Sequence, residues 1–245
     1  MQGAFLGPEY GDAETLAAIE HEGINAQRLQ NDELNSFIAR QLVDGKVVGY
    51  FQGRAEFGPR ALGARSILAD ARSPAMQSQL NLKIKFRESF RPFAPIVLAE
   101  RASEYFDLTT ASPYMLFTAP VQAGRCIKSG STARELSARV HELRSDIPAV
   151  THLDYSARVQ TVDVRQNPRL HAVLKAFERE TGCPVLINTS FNVRGEPPVC
   201  HPREAIACFL DTGIDILVLG NNVVDKTMLP AGLLTARKPR VFAPD

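Results

Sequence analysis

A chain of 245 residues with 44% hydrophobic and 22% charged side chains can bury a sizeable core without staples, as one large domain or two small ones. Its formal net charge of +1 gives no bulk field for nucleic acid or an anionic membrane. The four cysteines, Cys126, Cys183, Cys200 and Cys208, include no Cys-x-x-Cys pair, which argues against a zinc ribbon. With no signal-peptide pattern and no apolar run of about 18 residues, the chain is expected to keep reduced thiols and to be cytoplasmic.

Residues 1–11, punctuated by Gly and Pro, read as a loop. An acidic first turn and Leu16 and Ile19 on one side predict a helix over 12–22. Asn31 or Asp32 can cap a longer helix carrying Leu34, Phe37, Ile38 and Leu42, stopped near Gly45. Apolar runs at 46–51, 65–69, 93–98, 113–117, 184–187 and 214–219 predict strands, as do shorter runs at 150–153 and 157–162. Ser73-Pro74 starts a helix through Met76, Leu80 and Ile84, and a helical turn or two is expected over 102–107. Leu170, Val173, Leu174 and Phe177 line one face of a helix over 168–180 closed by Gly182, and His201-Pro202 opens another that stops at Gly213. The polar stretch 120–147 reads as an exposed loop, and the last 20 residues as a surface tail. Helices and strands mix without strict alternation, so an α/β or α+β sheet fold is expected.

The densest chemistry lies between Gly49 and Pro95. Arg54, Arg60, Arg65, Lys83, Lys85, Arg87 and Arg91 are interleaved there with Phe57, Phe86, Phe90 and Phe93 rather than spread along a polar face. Guanidinium groups held by a packed scaffold suit bidentate binding of phosphate or carboxylate. The predicted ligand is therefore an anionic, phosphorylated small molecule. Structural ion pairs with Glu56, Asp70, Glu88 or Glu100 are the competing reading for each arginine. Gly58, Pro59 and Gly63 punctuate the cationic loop, but neither the Gly-Lys-Ser/Thr phosphate loop nor a dinucleotide fingerprint is present.

Asn188-Thr-Ser190-Phe-Asn192 follows an apolar strand, where side-chain amides and hydroxyls can meet a ligand; a self-satisfied polar turn is the alternative. On strands, His152 and Asp154 would share a face, as would Arg158 and Gln160. Arg158 is the better ligand candidate, because the histidines lack metal-ligand spacing. No Gly-x-Ser-x-Gly elbow and no aromatic–basic RNA-binding pattern is seen.

Four motifs in order carry a resemblance: Glu56-Phe-Gly-Pro-Arg-Ala-Leu-Gly-Ala-Arg-Ser-Ile; Asn81 with Lys85, Arg87-Glu88 and Phe90-Arg91-Pro-Phe-Ala-Pro; Ala157-Arg158-Val-Gln160-Thr-Val; and Pro184-Val-Leu-Ile-Asn188-Thr-Ser190-Phe-Asn192. Together they resemble the C-terminal part of the O-carbamoyltransferases of nodulation-factor and antibiotic biosynthesis, over about residues 3–219. The resemblance implies a YrdC-like α/β fold, a twisted mixed sheet with flanking helices, that takes ATP and carbamoyl phosphate with Mg2+ and forms carbamoyl-adenylate. It implies that Arg60, Lys85 and Arg91 hold the phosphates and carbamoyl phosphate as the catalytic set. Arg158, Asn188 and Ser190 would complete the nucleotide site, and Arg54, Arg87 and Asn192 are further contacts.

In that family an N-terminal domain of the actin-like ATPase type holds an iron ion and transfers the carbamoyl group to an acceptor hydroxyl. Residues 1–30 match only the stretch leading into the C-terminal part. The expected organisation is a connector over 1–30, the activating domain over 31–225 and a tail over 226–245. Iron is expected only in the absent domain, and no metal ligands are assigned in this chain. That transferase domain would be the partner, in cis or in trans; neither nucleic acid nor membrane is expected, and a homodimer is left open. A catalytically silent nucleotide- or phosphate-binding partner subunit and an RNA-binding module of YrdC-like fold are the alternatives.

Overall fold

The strands follow from the apolar runs. In the computed structural model, which describes residues 3–127, 142–230 and 232–233, β2 (Val48–Phe51), β3 (Arg65–Asp70), β4 (Ala94–Leu98) and β8 (Ile216–Leu219) are buried along their whole length. Strands covered on both faces carry no alternation, and for that reason they appear in the sequence as continuous runs. With β1 (Gln27–Arg28), β5 (Phe117–Pro120), β6 (Ser156–Val162), β7 (Val185–Ser190) and β9 (Asn222–Asp225), they form a nine-stranded sheet in the order β1-β9-β8-β2-β3-β7-β4-β6-β5. The pairs β2–β8 and β4–β6 are parallel and the rest antiparallel. The molecule is thus a mixed α/β fold with flanking helices, as expected.

Helices α1 (Asp12–His21), α2 (Asn31–Val43), α5 (Pro168–Thr181) and α6 (Pro202–Asp211) cover the sheet. Between them in the chain lie two short ones, α3 (Met76–Leu80) and α4 (Ala102–Tyr105). The amphipathic faces account for the packing: α2 buries Leu34, Ile38, Ala39 and Leu42, and α5 buries Leu170, Val173, Leu174 and Phe177, where the two helices meet. Asn167 caps α5 by accepting from the Leu170 N–H, and Gly182, at φ 71°, ends it. Helix α3 continues as one π-helical turn, Asn81–Lys85, and Phe86 reverses the chain in a left-handed conformation, φ 49°. Among the described residues no helix is long and apolar enough to cross a membrane, and the four cysteines are free.

Several expectations shift. The run 113–117 is a turn up to Leu116, and β5 begins only at Phe117. Ser112 explains this: its N–H and hydroxyl are taken by Thr161 Oγ1 and the Val159 carbonyl, and Met115 turns left-handed, φ 56°. The expected strand 150–153 is absent. Pro148–Val150 form a 3-10 turn, and a left-handed Tyr155, φ 63°, bends the chain into β6. His152 and Asp154 therefore do not share a strand face, and Asp154 Oδ1 instead accepts from the Ser156 N–H and hydroxyl. The described ends of the 120–147 stretch are not a plain exposed loop: Val121, Arg144, Ser145 and Ile147 are buried, and Cys126 bridges to Ser145. Residues 128–141 lie outside the described residues. Strands β1 and β9 were not expected. Of the tail, Lys226–Met228 form a 3-10 turn, Leu229 and Leu233 pack on the core, and residues 231 and 234–245 lie outside the described residues.

Candidate functional site

One face of the sheet gathers polar side chains at the C-terminal end of β7. Ser66 pairs with Ser190, Leu68 with Asn188, and Ala94 with Asn188 from the other side, while Ile96 pairs with Gln160. Directly paired residues and residues two apart on a strand share a face. The face common to β7 and β6 is identified by Asn188 Nδ2, which donates to Gln160 Oε1 at 2.7 Å. Ser66, Arg158, Gln160, Asn188 and Ser190 therefore point the same way.

The cationic loop lies across this face. Asn188 Nδ2 also donates to the Ala61 carbonyl at 2.9 Å, and Gln160 Nε2 to the Leu62 carbonyl at 2.8 Å. Glu56 folds the loop: its Oε1 accepts from the N–H groups of Leu62, Ala64 and Arg65 at 2.7, 2.6 and 3.2 Å. Gly63, at φ 106°, passes so close to α5 that a Cβ there would stand 2.2 Å from Leu170 Cδ2. The loop so held carries exposed Arg60 to the neighbourhood of Arg158. Burial, and then the nearby Arg60 charge, lowers the pKa of the Arg158 guanidinium.

Three polar atoms on this face are buried without a hydrogen-bond partner among the described residues: Ser66 Oγ, Asn188 Oδ1 and Arg158 Nε. Buried polar groups are nearly always paired, and a cluster of exceptions marks a place made for something else. Ser66 was not anticipated; its only signal is a lone hydroxyl inside a strand, Arg65–Asp70, that is otherwise apolar between its charged ends.

Lys85, from the π-helical turn, is buried and aims Nζ at the far end of β7. It donates to Asn192 Oδ1 at 2.8 Å and to the Asn192 carbonyl at 2.9 Å, with the Ser190 carbonyl and hydroxyl also in reach. Burial pulls its pKa from 10.5 to about 7, with Cys208 raising it and Arg87 lowering it further. Ser190 Oγ donates to Asn192 Oδ1 at 2.6 Å. The next turn is built by the buried amide of Asn81, which accepts from Arg87 Nε at 2.6 Å and donates to the Ser89 and Arg91 carbonyls at 3.0 and 2.9 Å. Arg87 lies over the Phe93 ring at 5.0 Å. Burial, then the Arg91 charge, brings its pKa down to about 10. Arg91 is half-exposed, with Glu88 Oε2 3.9 Å from its Nη1.

The predicted residues thus fall into two neighbouring groups, Arg60, Arg158 and Asn188 on one side and Lys85, Arg87 and Arg91 on the other, joined through Ser190 and Asn192. Arg54 stands apart. Its Nε and Nη2 donate to the Gly7 and Leu6 carbonyls at 3.1 and 3.0 Å, tying down the N-terminal segment. Arg65 is likewise engaged by the carbonyls of Gln52, Gly53, Ala64 and Pro8 and stacks on Phe51 at 3.6 Å. A cavity of about 410 Å3 opens beside the Arg91 turn, lined by Gln77, Phe90, Pro92, Thr151, His152 and Asp154. Burial and the nearby Arg158 charge lower the His152 pKa, against Asp154, which places the cavity next to the cationic face.

Comparison with known proteins assigns residues 39–226 to the family described as Carbamoyltransferase C-terminus. The chain is 48% identical over 94% of its length to the uncharacterised protein sll1178 of Synechocystis sp., of which it covers 38%. It is 39% identical over 92% of its length to nodulation protein NolNO of Sinorhizobium fredii, of which it covers 31%. It therefore spans about a third of the length of these relatives. Among solved structures, full-length HypF in its phosphate- and nucleotide-bound form matches with a TM-score of 0.48 and 17% identity, over 82% of this chain and 22% of that one.

Proposed function

The chain belongs to the carbamoyltransferase C-terminus family, and from that membership we propose that it is the carbamoyl-activating part of a larger carbamoyltransferase. In this reading it binds ATP and carbamoyl phosphate and forms carbamoyl-adenylate. A transferase domain outside this chain then passes the carbamoyl group to a hydroxyl of a sugar or antibiotic-type acceptor. Residues 31–225 are read as the activating domain, residues 1–30 as a connector and residues 226–245 as a tail. The observation that carries the reading is the group of buried, unpartnered atoms, Ser66 Oγ, Asn188 Oδ1 and Arg158 Nε, on a sheet face bordered by two cations.

The reaction balances as follows: carbamoyl phosphate, ATP and one water give carbamoyl-adenylate, phosphate and pyrophosphate. Water splits the carbamoyl–phosphate linkage, a carbamate oxygen bonds to the α-phosphorus, and the α–β bridging oxygen leaves with pyrophosphate. Such a step asks for positioned cations around the phosphates more than for a protein nucleophile. The side chains of Arg60 and Arg158 make no hydrogen bond or ion pair among the described residues and would take phosphate oxygens. Ser66 and Asn188 would hydrogen-bond the ligand between them, and Lys85, Arg87 and Arg91 would neutralise the leaving groups. No group of three His, Cys, Asp or Glu side chains able to hold a metal occurs among the described residues. The residues present thus fit phosphate oxygens and not a resident ion, and magnesium would arrive with the nucleotide.

A second reading, a binding subunit without turnover, is favoured by one feature. Lys85 Nζ is already surrounded by four oxygens of Ser190 and Asn192. Calorimetry with ATP and with carbamoyl phosphate tests the shared binding claim: saturable binding of both is expected. Absence of binding by either would leave both readings without support.

A further inference from the structure

On the other flank of the loop, a cavity of about 320 Å3 lies between the N-termini of α2 and α5. Its wall includes Asn35 of α2, Arg169 of α5, Tyr50 of β2 and Gln52 just after that strand. Both helices exceed eight residues, so each directs a positive dipole end at the space. The ends are also incompletely capped. Gln30, at the N-cap of α2, makes no side-chain hydrogen bond. The backbone N–H groups of Asp32 and Arg169 have no partner among the described residues.

A separate observation concerns Tyr50. Its side chain is 1% exposed and lines this cavity, and its hydroxyl makes no hydrogen bond among the described residues. Neighbouring Gln52 is satisfied: it donates to the Gly220 carbonyl at 2.6 Å and accepts from Arg169 Nη1 at 2.5 Å. Gln52 thereby fixes the Arg169 guanidinium at the cavity while leaving its other N–H groups open. A buried phenol and the Asp32 and Arg169 N–H groups, without a partner among the described residues, and a guanidinium fixed by Gln52 are donors converging on one space.

We propose that this cavity is a second binding site, for a small oxyanion of the phosphate class, on the same sheet face as the proposed activating site, since Tyr50 pairs with Ser66, but built from other residues. Arg169 and the first-turn N–H groups of α2 and α5 hold the charged oxygens, and the Tyr50 hydroxyl donates to a further one. Asp32, on the same wall, accepts from the P–OH of a monobasic phosphate. This site stands independently of the proposed reaction, because it shares no residue with the Lys85 and Arg158 groups.

Titration of the 15N-labelled chain with inorganic phosphate, followed by amide shifts, tests it and separates the two sites. Saturable shifts of the amides at 32–35 and 169–172 are expected. They should weaken at least tenfold in Arg169→Gln and several-fold in Tyr50→Phe, which keeps the packed ring, and persist in Lys85→Met. Shifts confined to residues 188–192, absence of saturation, or indifference of the 32–35 and 169–172 shifts to Arg169→Gln would each overturn the proposal.

Discussion

Arg158 and Lys85 show two ways in which a cation can be held at one site, and they predict different behaviour. The Arg158 side chain has no hydrogen-bond or ion-pair partner among the described residues and a buried, unsatisfied Nε, so Arg158→Gln removes little from the fold. Loss of a charge-assisted hydrogen bond of about 1.5–3 kcal/mol should weaken ATP binding by roughly 10- to 100-fold, read by calorimetry, with an unfolding midpoint close to that of the parent chain. Lys85 is bound into the structure, and burial draws its pKa from 10.5 to about 7. Between those values the unfolded chain holds a proton that the folded chain has released, so stability rises with pH across that window and the advantage is lost below it. Urea titrations from pH 7.5 to 10 should show a Lys85-dependent slope approaching about 1.4 kcal/mol per pH unit that is missing in Lys85→Met. Equal slopes in the two proteins would mean that the four surrounding oxygens keep the ammonium charged. The cations of the site were legible because arginine and lysine beside Phe and Gly are unusual company for a solvated charge run. Their sorting was not: nothing in the local sequence separates Arg158, left free, from Arg54, tied to the Leu6 and Gly7 carbonyls. Those partners lie nearly 50 residues away.

At the scale of elements, the site depends on the loop between β2 and β3 reaching over the end of β7, and Glu56 is its fastener. Glu56→Ala would leave the Leu62, Ala64 and Arg65 N–H groups without their acceptor. A cost of about 2–3 kcal/mol is expected in denaturant unfolding, together with weaker ATP binding, because Arg60 rides on this loop. The long elements were readable from local signals: an unbroken apolar run for β2, β3, β4 and β8, and a face of Leu170, Val173, Leu174 and Phe177 for α5. The failures were set by distant contacts. Residues 113–117 look like a strand, yet Ser112 is held by Thr161 and Val159 and delays pairing until Phe117. Strand β9 has only Val223 and Val224 as apolar residues and exists because β8 and β1 pair with it on either side. Ser66 joins the site only through its register with Ser190, and register is not written in any one strand.

At the scale of the molecule, the mixed sheet brings sequence-distant motifs together around the end of β7, the arrangement that the proposed reaction of two phosphorylated substrates requires. The N-terminal segment is part of that arrangement. Gly7 donates to the Ala55 carbonyl, Ala55 to the Pro8 carbonyl and Phe57 to the Ala4 carbonyl, so the stretch leading into the domain is strapped to the cationic loop. The chain spans about a third of its relatives' length; in the proposed reading, transfer to an acceptor is assigned to a domain outside it, and activation is the step to look for here. The most direct measurement is pyrophosphate release by the purified chain given ATP, magnesium and carbamoyl phosphate, at chain concentrations comparable to ATP so that a single turnover is visible. Release that requires carbamoyl phosphate and falls at least tenfold in Arg158→Gln is the predicted result. ATP bound at this face with no carbamoyl phosphate-dependent pyrophosphate would contradict adenylate formation and leave the domain as a binding subunit.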